Sequence, residues 1–377
     1  MKKVGIVGTH GRIDRCSFLS TDELLRKVGQ NTGNLLFQYA VCNAIDEDAV
    51  VIGTDIPWDV KLVKETCRVL VIPSANFIRE NFDFTGFVDF LDKTELPLVF
   101  LGLGAQAKNY DQSTFSFHPS ILKLMDLVKN KCKIAGLRGV FTQNLLESYG
   151  VTNTEVIGCP TNFINRDPNF VAKLNQKWNK PIFSFIATGD EPWPKDLTKR
   201  AAERQMIDWA HKGNGLFLQQ SVEPFIKYAR QNNLYQNADV PQHHEESLRK
   251  SLAPTMTNEE FRAFIATKLR LYYSVDQWME DSARMDFSIG LRLHGNMAAW
   301  QSGTPAIWVY HDSRTRELAE TMALPHLSHL QFLELKNIEE LKNSIDPNFS
   351  NYKKQREILS QKYRNIYETN NVNHKVY

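Results

Sequence analysis

The sequence has little of what marks secreted, membrane-spanning and nucleic-acid-binding proteins. Only five of its 377 residues are cysteine, none forms a Cys-x-x-Cys pair, and an odd number does not complete a disulfide framework. The longest apolar run, residues 96–105, is about half the length of a bilayer span. The 45 basic and 43 acidic residues leave a formal charge of +2, without the basic excess of a general nucleic-acid binder.

These absences set the first expectations about compartment and partners. The apolar stretch after Met1 is too short for a signal peptide. We therefore expect a soluble cytoplasmic protein with free thiols, no transmembrane segment and no nucleic-acid partner. Association with the inner face of the membrane and the oligomeric state are left open.

The sequence predicts no metal site and no cofactor. His243 and His244 are followed by two carboxylates, in a segment, 239–256, that we predict to be a loop. Side chains of successive residues rarely point at one ion, so this cluster is not predicted to bind a metal.

Short β-branched runs alternate with amphipathic helical patterns twice along the chain, which is typical of βα units and a parallel sheet. The two series occupy residues 1–165 and 178–345, and the polar segment 161–180 is predicted to be the linker. Residues 346–377 are predicted to form a helix that packs back on the N-terminal domain. The predicted fold is α/β, with two Rossmann-like doubly wound domains facing across a cleft, where ligands bind beyond the strand ends.

The strongest local signal is residues 289–296, which read IGLRLHGN. A buried-looking strand ends there and a helix, predicted from Gly295, begins. Arg292 and His294 have the same parity, so an extended stretch projects both side chains to one side. An arginine, a titratable imidazole and a helix N-terminus suit an anionic substrate that undergoes proton transfer. The structural alternative is a histidine that caps the helix beside a salt-bridged Arg292.

A second group of candidates follows two strands of the first series. Arg138 comes directly after the strand at 134–137, where a guanidinium can grip a carboxylate or phosphate. Gly104 and Gln106 belong to the turn at 100–106, FLGLGAQ, whose glycines let a ligand approach the backbone. The alternatives are a surface salt bridge for Arg138 and a plain strand–turn for the glycines.

Two helix starts supply the remaining candidates. Asn31, Gly33 and Asn34 open the first long helix, where free N–H groups can hold a phosphate or simply be capped. The last strand of the second series is followed by another helix start, where a solvated helix N-terminus is the alternative to a binding role. The candidates there are His311, Arg314 and Arg316.

Together these motifs resemble the polysaccharide pyruvyltransferase family over roughly residues 5 to 330. The matching motifs are NTGN at 31–34, LGLG at 101–104, Arg138 with FTQNLL at 141–146, RLHG at 292–295 and GTP at 303–305.

The resemblance implies two Rossmann-like domains arranged as in GT-B glycosyltransferases. It also implies phosphoenolpyruvate as the donor and, as the acceptor, a sugar of a polysaccharide or a lipid- or nucleotide-linked glycan precursor. The product is then a pyruvate ketal. The family's functional residues correspond to Arg292, His294 and Arg138. We expect His294 to act as acid and base, and Arg292, Arg138 and either Arg314 or Arg316 to bind the anion.

The chain departs from the family pattern at three places. Gly139 stands where many relatives have an acidic residue, Cys159 precedes Pro160 where many have aspartate, and two arginines follow the last strand where one basic residue is common. Two other functions are kept as alternatives: a GT-B glycosyltransferase with a nucleotide-sugar donor, and a non-catalytic binding protein of a glycan pathway.

Overall fold

The computed structural model describes residues 2–106, 115–230 and 242–376. Its strands are β1 (Lys3–Val7), β2 (Ala49–Ile52), β3 (Cys67–Pro73), β4 (Ile78–Arg79), β5 (Leu98–Leu103), β6 (Ala105–Gln106), β7 (Ala135–Leu137), β8 (Thr154–Val156), β9 (Phe185–Thr188), β10 (Gly215–Leu218), β11 (Leu269–Arg270), β12 (Phe287–Gly290), β13 (Ala306–Tyr310) and β14 (His326–Ser328).

The α-helices connect these strands and cover both sheets. They are α1 (Thr21–Lys27), α2 (Asn34–Ala44), α3 (Val60–Thr66), α4 (Thr85–Thr94), α5 (Pro119–Lys131), α6 (Val140–Ser148), α7 (Phe170–Trp178), α8 (Leu197–Lys212), α9 (Glu223–Arg230), α10 (Gln242–Leu252), α11 (Asn258–Lys268), α12 (Val275–Ala283), α13 (Leu293–Gln301), α14 (Ser313–Thr321), α15 (His329–Leu333), α16 (Ile338–Asn343) and α17 (Phe349–Thr369). Short 3₁₀ helices span Cys16–Phe18 and Pro160–Phe163.

The first sheet is parallel, with the strand order β2-β1-β3-β5-β7-β8. Its strands are short, buried and rich in valine, isoleucine and leucine, because helices cover both faces. The order reverses beside β1, since β2 lies on one side of it and β3 on the other. Such a reversal opens a crevice at the carboxyl ends of the strands.

The second sheet repeats this plan with the order β11-β10-β9-β12-β13-β14, again all parallel. Its reversal lies between β9 and β12, so the residues that follow Thr188 and Gly290 are neighbours. The two sheets confirm the predicted class of two Rossmann-like domains. All five cysteines are free, as predicted.

Local chemistry sets several of the helix boundaries. Pro119 begins α5, where its missing N–H costs nothing. Thr257 and Glu260 form a capping box that fixes the start of α11. Asp312 caps α14 by accepting a hydrogen bond from the Thr315 N–H at 2.8 Å.

One predicted loop is a helix, and the predicted linker, which does connect the two sheets, contains a helix. The segment predicted as a linker contains α7, because Phe170, Leu174 and Trp178 recur at helical spacing and are buried. The many polar residues of this segment make its apolar stripe hard to recognise in the sequence. The segment predicted as a loop at 239–256 contains α10, and residues 239–241 lie outside the described residues.

The last helix, α17, packs along the first domain. Tyr352, Tyr363 and Tyr367 on it are fully buried. The Tyr352 hydroxyl donates to Asn162 Oδ1 at 2.9 Å, and Lys362 pairs with Glu155 at 2.8 Å. The helix therefore belongs to the core, although its charged residues suggest a surface element.

Backbone hydrogen bonds join the two domains beside the crevice. The Ile13 N–H donates to the Tyr273 carbonyl at 2.8 Å, and the Thr32 N–H donates to the Gln220 carbonyl, also at 2.8 Å. The first bond holds the loop after β1 against the loop after β11, and the second holds the loop between α1 and α2 against the loop after β10. The strand ends of both sheets thus face one cleft. Among the described residues, no helix is both long and apolar enough to cross a membrane.

Candidate functional site

The carboxyl ends of strands from both domains enclose one small polar cavity. The loop after β3, the start of α2 and the end of β7 form one wall, and the starts of α13 and α14 form the other. The lining residues are Asn31, Asn34, Ala75, Asn76, Arg138, Gln220, Arg292, Leu293, His294, Arg314, Thr315 and Leu318. Residues separated by more than 280 positions in the chain therefore meet at the position that the doubly wound topology favours for a ligand.

Arg138 is a buried cation with only neutral partners. Its side chain is held by the Gly102 carbonyl at 2.9 Å, Asn76 Oδ1 at 2.6 Å and the Ser74 carbonyl at 3.4 Å. Among the described carboxylates none forms an ion pair with it, and burial lowers the pKa of its guanidinium. A buried charge that makes no ion pair is costly, so an anion in the cavity would offset that cost.

Arg292 is oriented by Asp190, which follows β9. The Arg292 Nε lies 2.6 Å from Asp190 Oδ1, and its Nη2 donates to the Ser221 hydroxyl at 2.6 Å. Asp190 also pairs with Lys199 and lies 3.4 Å from His311 Nε2. Burial acts to raise the pKa of Asp190, but Arg292, His311 and Lys199 outweigh it and lower that pKa, so this carboxylate stays ionised.

His294 lies on the first turn of α13, not in an extended stretch. The helix begins at Leu293, two residues earlier than predicted, so the parity argument does not explain why Arg292 and His294 meet. The His294 Nε2 lies 3.7 Å from the Cys159 thiol, and its ring packs against Phe37 with centroids 5.4 Å apart.

The electrostatic surroundings keep the His294 imidazole neutral. Burial, and then the charges of Arg138, Arg314 and Arg292, hold its pKa well below the ordinary value. The described residues place no carboxylate against the ring, and its hydrogen-bond partner there is the Cys159 thiol. The ring does not cap its own helix, whereas Arg292 is salt-bridged as the structural alternative expected.

The two arginines of α14 point to different places. Arg314 lines the cavity and pairs with Asp312 at 3.1 Å. Arg316 lies outside the cavity, where it pairs with Glu320 at 2.7 Å on the same helix and faces the Tyr310 ring. Residues two apart on a helix point in different directions, so only Arg314 can reach a ligand in the cavity.

The start of α2 forms the floor of the cavity. Asn31 accepts a hydrogen bond from the Gly33 N–H at 2.8 Å, Gly33 is the N-cap residue, and Asn34 is anchored to the Val28 carbonyl at 2.9 Å. The neighbouring Gln220 side chain is buried, and neither amide atom has a hydrogen-bond partner among the described residues. Its amide is therefore available to a polar ligand.

Besides Arg316, four predicted site residues do not line the cavity: Gly33 at the start of α2, Gly104, Gln106 and His311. Gly104 packs against Arg138, where a β-carbon would come within 2.6 Å of the arginine Cδ. Gln106 ends β6, which pairs with β4 away from the cavity. His311 is buried behind Arg292 beside Asp190, and burial lowers its pKa to about 4.

Sequence reasoning missed Asn76, Gln220 and Asp190. Asn76 follows β3, Gln220 follows β10 and Asp190 follows β9, each near a reversal of the strand order. This position after a strand is the signal that could have identified them. A single polar residue after a strand is common, however, and nothing in the sequence shows that Asp190 meets Arg292, 102 residues later.

The family model for polysaccharide pyruvyl transferase matches residues 13–313, which cover all the residues that line the cavity except Arg314, Thr315 and Leu318. The chain therefore belongs to the polysaccharide pyruvyl transferase family, a family of transferases. No curated protein matches the sequence.

Several solved structures resemble the fold at a distance. MnaA of S. aureus, solved with UDP, aligns over 94% of this chain and 91% of its own, with 10% identity and a TM-score of 0.43. HepE of Anabaena, solved with UDP and glucose, aligns over 96% and 95%, with 12% identity and a TM-score of 0.41. At these values the ligands of those proteins are not carried over to this chain.

Proposed function

We propose that this protein transfers pyruvate from phosphoenolpyruvate to a sugar of a polysaccharide or of a carrier-linked glycan precursor, forming a ketal. The observation that carries the proposal is the trio Arg138, Arg292 and Arg314 around a neutral His294 in one interdomain cavity. Phosphoenolpyruvate has two anionic groups, a carboxylate and a phosphate, and arginines bind both kinds of group bidentately.

The charge balance of the cavity supports an anionic donor. Arg292 and Arg314 each have one carboxylate partner, Asp190 and Asp312, whereas Arg138 makes no ion pair within the described chain. The cavity is thus left with surplus positive charge in a partly dry site, where electrostatic attraction is stronger than in water. The departing phosphate is stabilised by the same guanidiniums.

The proton transfers can be assigned to the imidazole. In the reaction one sugar hydroxyl adds to C2 of the enol, the methylene C3 gains a proton and becomes methyl, and the C2–O bond to phosphate breaks. A second hydroxyl then adds to C2. The two hydroxyl protons balance the proton gained by C3 and the one that leaves with phosphate or solvent. A neutral His294 is in the form that accepts a hydroxyl proton, and the resulting imidazolium can donate it.

Donor binding is tested by calorimetric titration with phosphoenolpyruvate and with UDP-N-acetylglucosamine. We expect phosphoenolpyruvate to bind, and Arg314→Ala to weaken it about tenfold or more, since about 1.4 kcal/mol corresponds to a factor of ten. Arg316→Ala is the matched control on the same helix and should leave the affinity unchanged. Binding of the nucleotide sugar alone, with Arg314→Ala weakening it, would favour the glycosyltransferase alternative.

A further inference from the structure

Gly139 leaves a space that a side chain of the other domain fills. The residue is the N-cap of α6 and follows Arg138 directly. A β-carbon at this position would come within 2.3 Å of the Cγ and Oε1 atoms of Glu317. Glu317 belongs to α14 of the second domain, one turn after Arg314, and its side chain is buried.

The Glu317 carboxylate accepts the hydrogen bonds that an N-cap side chain of α6 would accept. Its Oε1 accepts a hydrogen bond from the Thr142 N–H at 3.2 Å, and the Phe141 N–H also bonds to this carboxylate. These are the N2 and N3 amides that an N-cap side chain normally satisfies, and a carboxylate there also complements the helix dipole. Gly139 has no side chain for either purpose, so α6 depends on the second domain for its cap.

This contact joins the two elements that carry the anion-binding arginines. Arg138 immediately precedes α6, and Arg314 lies on the same helix as Glu317. The cap therefore constrains the separation of the two guanidiniums across the cavity, in addition to stabilising the helix. A cap supplied by residue 139 itself could stabilise α6 equally well and would leave the domains unconnected at this point.

We propose that Glu317 is a positioning residue that completes the anion site by tying α14 to the start of α6, and hence Arg314 to Arg138. The inference rests on the proposed function for the identity of the anion. The proposal predicts that a variant can restore the stability of α6 without restoring the affinity for the donor, although both depend on Glu317.

The experiment that distinguishes these two effects moves the N-cap carboxylate of α6 from Glu317 in the second domain to residue 139 in the first. Glu317→Ala should lower the melting temperature and weaken phosphoenolpyruvate binding about tenfold or more. Adding Gly139→Asp to that variant restores an N-cap carboxylate to α6, because the space is then free and the backbone at 139 is extended. We expect the double variant to regain the melting temperature but not the affinity. Glu317→Gln, whose amide oxygen still accepts both bonds, should keep most of the affinity.

One control variant on the same helix makes the outcome decisive. Glu320→Ala removes a carboxylate of the same helix that pairs with Arg316, and it should change neither property. Full recovery of affinity in the double variant would show that Glu317 is only a cap and would overturn the proposal. An unchanged affinity in Glu317→Ala would do the same.

Small-angle X-ray scattering separates failure of this inference from failure of the proposed function. If the unmodified protein binds no phosphoenolpyruvate, the proposed donor is wrong. The contact itself is then judged by the radius of gyration, which should increase in Glu317→Ala and stay increased in the double variant. An unchanged radius in both variants would refute the interdomain role. If Glu317→Ala is insoluble, the double variant is compared directly with the unmodified protein.

Discussion

His294 is the residue whose chemistry the proposed reaction needs most. Replacing it by glutamine keeps the approximate size and hydrogen-bonding capacity but removes titration. We expect His294→Gln to fold, to bind phosphoenolpyruvate through the arginines, and to lose turnover at least about a hundredfold, the usual contribution of general acid–base catalysis. Steady-state kinetics and a thermal melt check this. Near-normal turnover with a lower melting temperature would make the imidazole structural.

The pKa of His294 should respond to an anion in the cavity. Burial, and after it three guanidiniums, hold this pKa well below the ordinary value, so the free protein keeps the ring neutral at neutral pH. An anion that neutralises the guanidiniums should raise this pKa toward the ordinary value of about 6.5. We expect the NMR titration of the His294 ring to move to higher pH when inorganic phosphate is added. A shift to lower pH, or none with phosphate bound, would contradict the assignment.

Asp190 is expected to matter for stability as well as for orienting Arg292. In Asp190→Asn the partly buried Arg292 and the buried Lys199 lose their carboxylate, and breaking a buried ion pair typically costs about 3–5 kcal/mol. Chemical denaturation should show a loss of this order. Asp208→Asn, which breaks an exposed pair with Lys212, is the control and should change the free energy of unfolding by less than about 1 kcal/mol. A similar small loss for Asp190→Asn would show that the cluster around it is not stabilising.

The charged composition of α17 does not show that this helix is part of the hydrophobic core. Tyr363 is fully buried, stacks on Phe163 with centroids 5.0 Å apart and bonds the Tyr367 hydroxyl at 3.0 Å. Tyr363→Ala should lower the free energy of unfolding by about 3–5 kcal/mol, as for other large core side chains. Tyr363→Phe should cost only about 1 kcal/mol. Urea denaturation measures both, with the exposed Ile358→Ala as control, and equal losses in all three would contradict a core position.

The sequence predicts helices and strands well where the hydrophobic periodicity agrees with residues that mark the start or end of an element. The starts of α5 and α8 have such signals, because Pro119 is the first residue of α5 and the Asp196 side chain caps α8. The periodicity fails where polar residues outnumber a narrow apolar stripe, as in α7. It also gives no bounds for two-residue strands such as β4 and β11, which have no pattern of their own.

For the candidate site, too, the sequence indicates some residues and gives no sign of others. Arg138, Arg292 and His294 could be found because each follows a recognisable strand within a few residues. The partner of each could not, since Asp190 and Glu317 reach the site only through the packing of distant elements. Glu317 is 175 residues from the amide that it caps, and nothing near Gly139 in the chain indicates it.

At the scale of the whole molecule, residues of both domains line one cavity. The first supplies Arg138, which has no carboxylate partner in the described chain, and the second supplies His294, Arg292 and Arg314. Neither domain alone surrounds a ligand, so the arrangement depends on the contacts that hold the domains together. This explains why the lining residues are spread over most of the matched family region.

The measurement that most directly tests the central claim is mass spectrometry of the glycans of the source cells, with and without this protein. The account predicts that a glycan component carrying the additional mass of a pyruvate ketal disappears when the protein is removed. It should return when the unmodified protein is restored, but not when His294→Gln is restored. Glycans that keep every pyruvate ketal, or that lose a whole sugar residue instead, would contradict the claim.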